Sequence, residues 1–104
     1  MALTREFSET VRERAQTDME FRVAMLTEAA EAIVTGEAAT ARALLRDYIN
    51  ATLGFETLAD ETGISAKSLH RMFGAKGNPT LSNLTTVLRV LEANEGLTFV
   101  VRAV

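Results

Sequence analysis

Ala59 and Gly63, four residues apart in "LADETGISAKSLHRMF", restrict what this chain can fold into more than any other feature. Two short helices that cross steeply need a small side chain where they touch, and Ala59 supplies one. The chain must then swing round at a residue that tolerates positive φ, which Gly63 provides. Ser65 is suited to cap the second helix, while Leu58, Ile64, Leu69 and Met72 make an inward-facing apolar set. The spacing predicts helices over roughly 56–62 and 66–73, separated by "TGIS". Such a pair reads DNA in some proteins and is plain scaffold in others, and the apolar spacing alone suits both.

Charge tilts that choice. The chain carries 14 acidic and 11 basic residues, a net charge of −3 and a pI near 5.1. From Gly63 to Leu91 there is no acid, only Lys67, Arg71, Lys76 and Arg89. The acidic body counts against a simple nucleic-acid binder, whose domain pI often exceeds about 9. A local basic face on that body is still a binding face, though a weakly attracting one.

At 104 residues the chain has the length of one domain with a modest core. Residues 4–16 place Phe7, Val11 and Ala15 on one helical stripe, with Thr4 as cap. Thr17 and Glu20 have capping-box spacing ahead of a second helix whose core face reads Met19, Val23, Leu26, Ala30 and Ile33. Gly36 stops it. A third helix runs from Glu37 to about Thr52 on Ala41, Leu44, Leu45, Tyr48 and Ile49, with Gly54 ending it. After the loop "GAKGNPT", a helix from Leu81 to about Ala93 buries Leu81, Leu84, Val87, Leu88 and Leu91, with Thr80 as cap and Gly96 as stop. The expected organisation is a helical leader at 1–36 packed on a DNA-binding domain at 37–96, then a strand at 97–104.

That last segment, "LTFVVRAV", is β-branched and aromatic, with Leu97, Phe99, Val101 and Ala103 on one side of an extended chain. An all-helical body offers no second strand, so the same strand of another protomer is the simplest partner, giving a two-fold dimer. A frayed tail, or a strand covered by its own helices, fits the same residues.

On the second helix of the pair, Ala66, Lys67, Ser68, His70 and Arg71 are not needed for the core. A recognition helix turns its N-terminal residues to base edges, where Lys67 and Arg71 suit guanine. His70 shares that side and serves equally as a base contact or a solvated surface residue. Thr57 in the first turn of the preceding helix, Ser65 at the cap, and Lys76 and Asn78 in the following loop complete the DNA-facing set; Thr57, Lys76 and Asn78 are expected at phosphates, where contacts set register. The expected fold is an all-α bundle, the expected partners are double-stranded DNA and a second copy, and the expected setting is cytoplasmic. With no cysteine and one histidine, no metal site or cofactor is expected. "GAKGNP" lacks the spacing and the preceding strand of a phosphate loop, and no Ser-His-acid group or pocketed carboxylate pair points to an enzyme. The polar "MALTREFSET" is unlike a signal peptide, and no apolar run has membrane-spanning length.

"LADETGISAKSLHRMF" followed by "GNPTLSNLTTVLRVLE" resembles the helix-turn-helix domain of phage-repressor-type regulators, and more narrowly the antidote proteins of bacterial addiction modules. "DMEFRVAMLTEAAEAIVTGEAATARALLRDY" resembles the helical leader of that narrower group, and the "GNP" loop and apolar tail match as well. The resemblance covers about residues 18–102. It implies a transcriptional autoregulator that binds its own operator and neutralises a toxin encoded beside it. By position it implies base reading by Ala66, Lys67, His70 and Arg71, supported by Thr57. The family often has a polar cap, a glutamine and an aromatic where Glu56, Thr57 and His70 stand here. A repressor without a toxin, and a toxin-binding module with the helix pair as scaffold, are the alternatives.

Overall fold

Four glycines at positive φ, Gly36, Gly54, Gly63 and Gly96, punctuate a chain that is otherwise helix-forming. The computed structural model describes the backbone of residues 2–104 and the side chains of 6, 7 and 9–104. Within them lie six helices: α1 (Ala2–Thr17), α2 (Met19–Thr35), α3 (Ala38–Ala51), α4 (Gly54–Thr62), α5 (Ala66–Met72) and α6 (Leu81–Glu95). None is long and apolar enough to cross a membrane. The architecture is all-α. α2 packs along α3, α1 lies against both, and α4 joins α3 to α5 and α6.

The core runs through every helix. Ala15, Leu26, Leu45, Tyr48, Ile49, Leu58, Leu69, Phe73, Val87 and Leu91 are all removed from solvent. Burying side chains of this size contributes about 1.5–3 kcal/mol each for the larger apolar ones, before conformational entropy is subtracted.

Several expected details move. α1 begins at Ala2, ahead of Thr4, whose side chain lies outside the described residues. Phe7 is 67% exposed, so the buried stripe of α1 reduces to Val11 and Ala15. The cap of α2 is Asp18, not Thr17: its carboxylate accepts the Phe21 N–H at 3.1 Å. That bond, more than the neighbouring Arg14, holds the Asp18 carboxyl below its usual range. The face that α2 buries is Met25, Leu26, Ala29 and Ala32, whereas Met19 and Val23 stand 60% and 37% exposed. α2 is apolar on most of its sides, so the sequence pattern fixes a helix but not its rotation. Leu81 opens α6 at the surface, 77% exposed, because the first turn extends past the core.

Residues 97–104 form no strand among the described residues. Gly96, at φ 72°, turns the chain off α6, and the Phe99 N–H donates to Glu92 Oε2 at 2.7 Å. Leu97 and Phe99 are half-buried against the core, while residues 100–104 are exposed.

Candidate nucleic-acid interface

The turn between α4 and α5 is built as its residues require. Gly63 adopts φ 74° and its N–H donates to the Ala59 carbonyl at 2.9 Å, ending α4. Ser65 then caps α5, its hydroxyl oxygen accepting the Ser68 N–H at 3.2 Å and its proton going to Ser68 Oγ at 2.9 Å. Both serines are therefore engaged in the cap. α4 lacks such a cap. It starts at Gly54, two residues before the expected position, behind Leu53.

α5 divides its side chains sharply. Leu69 and Met72 are buried with Phe73, while Lys67, His70 and Arg71 face solvent. Ala66 and Ser68 are half-buried; Thr57, Ser65, Lys76 and Asn78 are exposed. Lys67, Arg71, Lys76 and Arg89 form no ion pair among the described residues. These are free cations. The imidazole of His70 stacks on Phe55, with centroids 4.2 Å apart and planes at 29°. Phe55 is itself buried, so the histidine ring lies on a fixed platform at the edge of the exposed face.

Two arginines outside the expected DNA-facing set hold the loop after α5. Arg42 Nη2 donates to the Ala75 carbonyl at 3.1 Å, and Arg46 Nη1 donates to that of Phe73 at 3.2 Å. Their spacing of four on α3 was the available signal, since it sets both on one helical face. Gly77 completes the anchorage. It is buried, and a Cβ there would press into the Met72 carbonyl and lie 2.6 Å from the carbonyl oxygen of Arg71. Backbone atoms cannot rotate away, so Gly77→Ala is expected to cost about 2 kcal/mol. A lowered urea midpoint at unchanged m would register it. Lys76 is thus flanked by anchored backbone at Ala75 and Gly77, and Asn78 follows directly.

Thr57 lies away from the loop, in a surface groove of ≈ 440 Å³ between α4 and α6, with Glu61, Arg89 and Asn94. The outer side of α4 also carries exposed Glu56 and Asp60. Long-range attraction of a polyanion to this face is therefore weak. Among the described residues no cluster of three or more His, Asp or Glu suits a metal ion. No family model matches the chain, and no curated protein or solved structure matches it. The functional reading therefore rests on the geometry and charge of α4, α5 and the loop that follows.

Proposed function

We propose that the chain is a sequence-specific DNA-binding repressor of its own promoter, with α4, Gly63 and α5 forming its helix-turn-helix. The observation that carries this is the division of α5. Its apolar side chains are buried, and its unpaired Lys67 and Arg71 project beside His70 from a stretch free of acids. Arg71 suits a bidentate contact to guanine, Lys67 a single one, and Lys76 a phosphate. Two copies of α5 on one two-fold axis would read half-sites about 34 Å apart. The resemblance over residues 18–102 to addiction-module antidotes supports a second activity, neutralisation of a co-encoded toxin.

The test is a binding titration of the purified protein with its own upstream DNA against a scrambled duplex, at two salt concentrations. Expected is a preference for the upstream DNA of about a thousandfold or more, retained at the higher salt. The affinity itself should fall with salt, by about 0.9 in log–log slope per phosphate neutralised. Equal, salt-sensitive binding to both duplexes would leave α4 and α5 as scaffold.

A further inference from the structure

Of the eight large apolar side chains that stand exposed among the described residues, six lie on α2 and the C-terminal ribbon. Met19, Val23 and Val34 are on the helix; Val100, Val101 and Val104 are on the ribbon. A groove of ≈ 430 Å³ separates the two, walled by Val23, Ala30 and Val34 on one side and residues 97–102 on the other. The ribbon is anchored only as far as Phe99, by its N–H bond to Glu92. Beyond it the backbone N–H groups of residues 100–104 donate to nothing among the described residues. Nor does the ribbon carry any proline, lysine or acid that would blunt an exposed edge.

An unprotected edge beside a contiguous apolar face calls for a cover that supplies both another edge and apolar side chains. A second copy of the ribbon has both. In antiparallel pairing centred on Val100, Phe99 faces Val101 and Thr98 faces Arg102, so the ribbon's one charge does not oppose its own copy. The groove offers a matching charge. Glu31 is the one acid lining it and Arg102 the one base, and neither is ion-paired among the described residues.

We propose that this face is a homodimer interface, in which residues 97–103 pair antiparallel with their copy and Arg102 reaches Glu31 of the partner subunit. The arrangement deepens the DNA-binding reading, because it supplies the two-fold axis that paired half-sites need. Its test uses no DNA, so the two readings fail separately.

Sedimentation or light scattering of the full chain across a wide concentration range should give a dimer. Val101→Asp, at a position 73% exposed in the single chain, should give a monomer of unchanged circular dichroism. Arg102→Glu should weaken association about tenfold, and adding Glu31→Arg should restore it. A wild-type chain that stays monomeric throughout overturns the proposal and leaves the face to a different protein. An equally strong Val101→Asp dimer, or a charge swap that restores nothing, overturns it as well.

Discussion

Replacing Lys67 and Arg71 together with alanine is expected to abolish the preference for upstream DNA over a scrambled duplex, a loss of about a thousandfold. The size follows from counting. A bidentate arginine contact is worth about 1–3 kcal/mol of discrimination, and a dimer makes each contact twice. Some 4 kcal/mol is then at stake, or about three powers of ten. Both side chains are exposed and free of ion pairs among the described residues, so removing them should leave the melting temperature almost unchanged. Folded protein with lost preference is therefore the expected pair of results. Lys76→Ala is the internal control. A phosphate contact weakens binding to both duplexes alike and lowers the salt slope by about 0.9 per site, without relaxing specificity. A double variant that binds upstream DNA as well as the parent sinks the assignment of α5 as reader. In that case the acidic outer faces become the surfaces to probe, since they suit a basic protein partner.

The elements of this fold that the sequence made legible are those where one residue type has few alternatives. Gly63 had to take positive φ, Ser65 had to cap, and Leu58, Leu69 and Met72 had to turn inward; all do. The same holds for Thr80 and Gly96 at the two ends of α6. α2 escaped because it is apolar on most sides, so its buried face is decided by what α3 offers and not by its own pattern. The ribbon escaped for a different reason. Its β-branched composition is real, but a strand exists only when paired, and one chain supplies no second edge. At the candidate site, exposure of Lys67, His70 and Arg71 followed from helical spacing. The Phe55 platform under His70 and the two α3 arginines behind the loop did not, because those contacts span 15, 33 and 27 residues of sequence. Polar contacts of that range leave no periodic trace.

The most consequential hidden contact is polar and involves none of the side chains of α5. Glu95 closes α6, where the helix dipole disfavours a negative charge, and its side chain is only 5% exposed. It is tolerated because Arg22 Nε donates to Oε1 at 2.9 Å and the Tyr48 hydroxyl donates to the same oxygen at 2.7 Å. Asn94 donates to the Tyr48 oxygen at 3.0 Å, and Arg22 Nη1 donates to the Ala15 carbonyl at 3.0 Å. α2 and α3 thus meet at this one carboxylate of α6, and Arg22 ties α1 to it through the Ala15 carbonyl. Glu95→Ala is expected to cost about 3 kcal/mol, since it strands a guanidinium that keeps a fifth of its surface in water. In a domain of this size that lowers the melting midpoint by on the order of 15 °C.

The pH dependence has a sign at each end. Burial raises the Glu95 carboxyl, but its bonds from Arg22 and Tyr48 outweigh that and hold it below 4.5. Its contribution is thus complete above that value and is lost as pH falls through the lower, folded one. Tyr48 works in the opposite direction. Burial first, then the adjacent Glu95, pushes its hydroxyl from 10.0 up to about 12. That stability is complete below pH 10 and disappears as pH rises towards 12. Tyr48→Phe keeps the ring and removes the proton, so it should cost about 1.5–3 kcal/mol at neutral pH and remove this alkaline loss. Urea midpoints of the parent and both variants, taken across the pH range, decide the matter. A parent and a Tyr48→Phe chain that lose stability in parallel above pH 10 would show that the Tyr48–Glu95 bond does not set the alkaline limit.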